Sequence, residues 1–147
     1  MNHLKEGTKA PDFSLLDQNG TNHNLSSYLG KIVLIYFYPK DDTPGCTKEA
    51  CGIRDSYDEF EKLDVVVFGI SPDSPESHAE FIQKYNLPFI LLSDHRKEMI
   101  AEYGADGIMT KRISYLIGKD GYILKTYPKV DPTSHAEEIL NDVKTYL

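Results

Sequence analysis

The chain has 147 residues, with 40% hydrophobic and 27% charged content. That is ordinary for a globular protein, and long enough for a single domain whose core needs no disulfide staples. A formal charge of −7, with lysines and arginines scattered among acids, argues against a nucleic-acid or anionic-membrane partner. The first seven residues lack the apolar core of a signal peptide, and no run approaches the ~20 apolar residues of a membrane span. A cytoplasmic location is the expectation.

Residues 1–12, with Gly7, Thr8 and Pro11, read as an irregular arm. Residues 13–16 and 21–25 flank Asp17-Gln18-Asn19-Gly20 and predict a small hairpin. A short turn of helix at most fits 26–30. A first core strand is expected over 31–38, where 32–38 is an unbroken apolar and aromatic run, covered on both faces as in a parallel sheet flanked by helices. A first long helix is expected over 47–62, with Ala50, Ile53, Tyr57 and Phe60 on its core stripe. Strand 64–71 leads into Ser74-Pro75-Glu76, where Ser74 is the N-cap and Pro75 the first helical residue. That helix buries Phe81 and Ile82 and stops before Pro88.

A third short strand covers 89–92, and a short helix over 96–103 is closed by Gly104. Strands 112–117 and 122–127 flank Gly118-Lys119-Asp120-Gly121, a hairpin signal. Ser134, with Glu137 three residues on, reads as a capping box for a C-terminal helix with the stripe Ala136, Ile139, Leu140, Val143 and Leu147. The element order predicts an α/β fold, a three-layer α/β/α sandwich. It resembles the thioredoxin-like arrangement with an N-terminal hairpin added. In open α/β sheets, sites gather at the carboxyl ends of parallel strands. The segment 39–51, which holds both cysteines, follows such an end.

Cys46 falls at the expected first turn of a helix, where free N–H groups and the positive end of the macrodipole favour an anion. The thiolate is the reactive form of cysteine, so this placement suits a nucleophile. Pro44 keeps the segment from extending the preceding sheet. Gly45 lets the backbone approach a ligand closely, and Thr43 offers a hydroxyl that both donates and accepts. Cys46, Ala50, Ile53 and Tyr57 are spaced 4, 3 and 4 apart, which places Cys46 on the core stripe at the floor of a pocket. Cys51 lies ~100° past Ala50, on a more accessible flank. Cα atoms five residues apart in a helix are ~8.6 Å from each other, whereas a disulfide needs ~6.8 Å or less. A Cys46–Cys51 bond therefore demands unwinding. On spacing alone, a pair of inert core thiols fits as well as a reactive pair. Two cysteines are too few for an iron–sulfur cluster or a Cys-only zinc site. The histidines at 3, 23, 78, 95 and 135 show no pair at ligand spacing, so neither metal nor cofactor is expected.

Pro39, Thr43 and Cys46, in Tyr36-Phe37-Tyr38-Pro39 and Thr43-Pro44-Gly45-Cys46-Thr47, resemble the active-site motif of the peroxiredoxins. With Cys51 five residues on, the likeness is to the peroxiredoxin Q (bacterioferritin comigratory protein) group. Ala10-Pro11-Asp12-Phe13, Gly69-Ile70-Ser71, Leu91-Leu92-Ser93-Asp94 and Lys119-Asp120-Gly121 extend it nearly end to end. The resemblance implies that Cys46 attacks peroxides and becomes a sulfenic acid, that Thr43 hydrogen-bonds the peroxide, and that Pro39 shields the thiolate. Arg112, which by itself reads as a solvated strand-end charge, matches the family's distant arginine. Glu49 matches a position that holds that arginine, and by itself it reads equally well as a first-turn acid favoured by the helix dipole. Cys51 matches the resolving cysteine, so the disulfide would form within one chain and be reduced by thioredoxin or a similar dithiol. A monomer suffices.

Gly118 stands where relatives commonly have Asp, and the segment 104–111 is shorter than in some of them. Two other readings compete with the peroxidase: a general disulfide oxidoreductase, against which Cys-x4-Cys weighs, and a redox-gated binding or chaperone module.

Overall fold

The computed structural model describes residues 3–147. Its centre is β3 (Ile32–Phe37), every residue of which is buried. Such a strand must have both faces covered, and alternation divides its side chains between two cores. Ile32, Leu34 and Tyr36 point into one core; Val33, Ile35 and Phe37 point into the other. β3 pairs in parallel with β4 (Val65–Ser71), which pairs in parallel with β5 (Ile90–Ser93). On its other side β3 meets β6 (Ser114–Ile117), and β6 meets β7 (Ile123–Tyr127), both antiparallel. The hairpin of β1 (Ser14–Asp17) and β2 (Asn22–Asn24) adds to the edge of β5 through Leu16 and Asp17. The sheet order is β2-β1-β5-β4-β3-β6-β7.

One face carries α1 (Pro44–Asp55), α2 (Tyr57–Lys62), α3 (Pro75–Tyr85) and α5 (His135–Thr145), which contribute Ala50, Ile53, Phe60, Phe81, Ile139 and Val143 to its core. The other face is covered by α4 (Glu98–Glu102), a 3-10 turn at Leu25–Tyr28 and the N-terminal arm. The arm is irregular, as expected, yet it is anchored. The N–H of Gly7 donates to the Ile123 carbonyl, and the N–H of Ile123 to that of Thr8. Three layers are present in the predicted order.

Three local expectations need correction. The helix expected over 47–62 starts earlier, at Pro44, and breaks at Ser56, whose φ and ψ are −107° and 8°. Ser, Asp and Tyr cluster there with Gly52 upstream, all poor helix formers. The break still leaves Phe60 fully buried. Ser134 forms no capping box, because its side chain caps nothing. Asp131 organises that turn instead, its carboxylate accepting from the Thr133 N–H and its carbonyl from the Ser134 N–H. Leu147 lies beyond the end of α5 and is exposed. The start of α3 is as read, with the Ser74 side chain accepting from the Ser77 N–H and Pro75 first in the helix.

Candidate active site

β3 ends at Phe37 and α1 begins at Pro44, so the connecting loop lies over the carboxyl end of a central parallel strand. Pro39 is half-buried, just past the end of β3. Thr43 has extended dihedrals (φ −99°, ψ 157°), and its carbonyl accepts from the Thr47 N–H at 2.8 Å, closing the first turn. Its hydroxyl donates to the Lys40 carbonyl at 2.8 Å. Pro44, exposed, occupies the first helical position, where a missing N–H costs nothing. Helical geometry leaves the N–H groups of Gly45 and Cys46 without intrahelical partners.

Cys46 is 1% exposed and packs in the same core as Tyr36, Tyr38 and Ala50. The sequence places it at the floor of a pocket, but α1 is wound and the thiol is covered. The neighbouring surface cleft, about 370 Å³, is lined by Thr43, Pro44, Thr47, Lys48, Cys51 and Tyr85, together with Asp42. Both thiols are free, and Cys51 is half-buried on the accessible flank, as the helical geometry requires.

Arg112, 66 residues downstream, reaches the thiol from the residues leading into β6. Its Nη1 lies 3.5 Å from Cys46 Sγ and donates to Glu49 Oε1 at 2.9 Å. The guanidinium is thus no solvated strand-end charge; its side chain is 22% exposed and that of Glu49 is fully covered. Among the described residues, Glu49 Oε2 has no hydrogen-bond partner. Burial raises the Glu49 carboxyl to about 7, against the opposing hydrogen bond and charge of Arg112. Gly45 has a different use from the one its type suggests. A Cβ there would lie 2.9 Å from Arg112 Nη2, so glycine makes room for the guanidinium, not for a ligand.

A second cluster, which the sequence reading missed, holds the loop. Asp41 is buried, and its Oδ1 accepts from the Tyr38 hydroxyl at 2.6 Å. Its Oδ2 accepts from the Ser77 hydroxyl at 2.8 Å and lies 2.7 Å from His78 Nδ1. The Asp41 N–H donates to Asp73 Oδ2 at 2.8 Å. His78 Nε2 donates to the Leu92 carbonyl, which can only accept. Donor atoms of Asp41, Asp73 and His78 lie within 4.8 Å of one another. Hydrogen bonds engage each of them, so the cluster acts as a polar knot tying loop to helix. The available signal was periodicity, since His78 precedes Phe81 and Ile82 by 3 and 4 residues on the buried stripe of α3.

Among the described residues, no helix is long and apolar enough to cross a membrane. The AhpC/TSA family matches residues 7–126. The chain is 42% identical to Peroxiredoxin Bcp of Bacillus subtilis (strain 168) over 150 aligned positions, covering 96% of each protein. It is 45% identical to a putative peroxiredoxin bcp of Coxiella burnetii, covering 93% of this chain and 97% of that one. The crystal structure of peroxidoxin BcpB from Mycobacterium tuberculosis superposes with a TM-score of 0.90 at 33% identity, covering 99% of each chain. The thioredoxin-like fold expected from the element order is the fold of these relatives. A buried thiol at a helix start, a guanidinium beside it and a family match spanning both agree: the chain belongs to the AhpC/TSA family and, within it, to the Bcp/Q group of peroxiredoxins, which are thiol peroxidases.

Proposed function

We propose that Cys46 is the peroxide-reducing nucleophile of this enzyme, that Cys51 resolves it within the same chain, and that a dithiol protein such as thioredoxin restores the pair. The observation that carries the reading is Arg112 Nη1 at 3.5 Å from the sulfur of a buried cysteine in the first turn of a helix. A guanidinium is always charged and cannot protonate the nucleophile, so it stabilises both a thiolate and the oxyanion leaving from it. The thiolate attacks one peroxide oxygen and the O–O bond breaks. The electron pair departs on the other oxygen, which takes up a proton as water or an alcohol, and Cys46 is left as a sulfenic acid. Thr43 already donates its only hydroxyl proton to Lys40, so towards a peroxide it accepts.

Cys46 and Cys51 lie in one helix, about 8.6 Å apart at their Cα atoms by helical geometry. Resolution therefore requires α1 to unwind. The Cys51 thiolate then displaces hydroxide from the sulfenic acid, forming the disulfide and, with a proton, water. Hydrogen peroxide and small organic hydroperoxides suit a thiol covered to this degree. A general disulfide oxidoreductase would need Cys46 open to a protein disulfide, and its 1% exposure speaks against that role. An intrachain disulfide asks for no second subunit, so we assign a monomer. The cytosol, being reducing, suits a pair returned to thiols each cycle.

The test is peroxide consumption coupled to thioredoxin for wild type, Cys46→Ser and Cys51→Ser. Cys46→Ser should be inactive. Cys51→Ser should consume about one equivalent and leave a trappable sulfenic acid. Full turnover by Cys46→Ser would overturn the assignment.

A further inference from the structure

Helix α3 holds the chain on both sides of the two cysteines. On the N-terminal side, Ser77 and His78 grip Asp41, while Lys84 Nζ and Tyr85 Oη donate to the two oxygens of Asp42 at 2.7 and 2.8 Å. Asp42 has φ +57°, a left-handed conformation that is uncommon for a residue with a side chain. Aspartate is among the side chains that tolerate it, and here both its carboxylate oxygens are engaged by the α3 terminus. On the C-terminal side, Arg54 Nη1 donates to the Tyr85 carbonyl at 2.7 Å. The Asp42 and Arg54 contacts converge on the last turn of α3, while Asp41 is held at its first, and Cys46 and Cys51 lie between Asp42 and Arg54 in the chain.

The segment between the grips is built differently. Among the described residues, the side-chain hydrogen bonds linking 43–53 to the rest of the protein are the Thr43 contact with Lys40 and the two Arg112 contacts. The segment also contains Gly45, Thr47, Cys51 and Gly52, residue types that lower helix propensity. Beyond Arg54, α2 is held by the fully buried Phe60.

We propose that α3 is a bracket that confines the unwinding of α1 to residues 43–53, with Asp42 and Arg54 as the two stops. The proposal rests on the Cys46–Cys51 disulfide assigned above. Lys84, Tyr85 and Arg54 are positioning residues: they touch no reacting atom and limit how far the helix opens. Confined in this way, the opening frees both cysteines and leaves β3, α2 and α3 intact.

The experiment is residue-resolved amide exchange on the reduced and the peroxide-oxidised protein. It compares wild type with Lys84→Met/Tyr85→Phe and with Arg54→Met, all surface or half-exposed positions; Tyr85→Phe keeps the ring that packs edge-on against Phe81. In oxidised wild type, exchange should accelerate at least about tenfold within 43–53 and stay unchanged on either side. In the double variant, the fast region should gain Asp42 and end at the Asp41 knot, which the variant leaves intact. In Arg54→Met it should spread towards 55–62 only. Unchanged boundaries in both variants, or spreading in both directions from either one, would overturn the bracket. Mass analysis of the same oxidised wild-type sample separates the two levels of the argument. Absence of a Cys46–Cys51 disulfide would overturn the assignment on which the bracket depends, whereas a disulfide with unmoved boundaries would overturn the bracket alone.

Discussion

Arg112 Nη1 donates to Glu49 Oε1 at 2.9 Å, and the other oxygen of that buried carboxyl has no partner among the described residues. The pair is half of a bridge, because the same nitrogen lies beside Cys46 Sγ. Its energetics depend on pH.

Burial raises the Glu49 carboxyl from 4.5 to about 7, so the folded chain binds this proton more tightly than the unfolded one. The contribution to stability is full below about 4.5 and is lost as pH rises through about 7. The shift corresponds to about 3 kcal/mol over that window. Glu49→Gln does not titrate. Denaturant unfolding of both proteins between about pH 4.5 and pH 8 should show the difference moving in favour of the variant as pH rises. A difference that stays flat would mean that Glu49 titrates normally in the fold.

Gly45→Ala separates stability from activity. The new methyl would meet the tip of the Arg112 side chain at 2.9 Å, a flexible group that can move aside. Ala also favours a helix over Gly, by up to about 1 kcal/mol in a helix interior and less at this second helical position. Thermal unfolding should therefore show no loss of stability. Removing one preorganised donor commonly costs about 100-fold in rate; a displaced guanidinium should cost about tenfold in single-turnover oxidation of Cys46. An unchanged rate would mean that the Arg112 position is not critical.

His135 works in the opposite direction to Glu49. It is buried, with Nε2 2.8 Å from the Ser114 hydroxyl, and burial lowers it from 6.5 to about 4. The folded chain thus holds this proton less tightly than the unfolded chain. The stability tied to the neutral ring is present above about 6.5 and lost as pH falls through about 4. His135→Gln should flatten the acid limb of the stability profile, followed by circular dichroism, whatever its offset at neutral pH. An equally steep acid limb in the variant would assign acid sensitivity to other groups.

The buried strand β3 and the start of α3 were legible because they rest on local signals: a doubly covered apolar run, and Ser-Pro-Glu at a helix entry. Cys46, Thr43 and Arg112 were legible through motif, and Arg112 through motif alone, since a contact across 66 residues leaves no periodic trace. The exposure of Cys46 was misjudged because a core stripe gives the direction of a side chain but not what lies above it. Here Glu49 and Arg112 stand beside the thiol. The role of Gly45 was misread for a similar reason, as the atom it makes room for belongs to a distant segment. His78 and Asp41 escaped notice because each polar residue has many possible partners, and only the folded chain selects one.

The two margins of the sheet bear on the proposed opening of α1. One margin is β2, three residues long and entirely polar as Asn22-His23-Asn24. The other, β7, is partly occupied by the N-terminal arm through Gly7 and Thr8, and the Thr126 N–H donates to Glu6 Oε2. Exposed strand edges are templates for pairing with a neighbouring molecule. With one margin short and polar and the other partly covered, a chain opened at α1 as proposed would still offer passing chains little edge on which to begin aggregation.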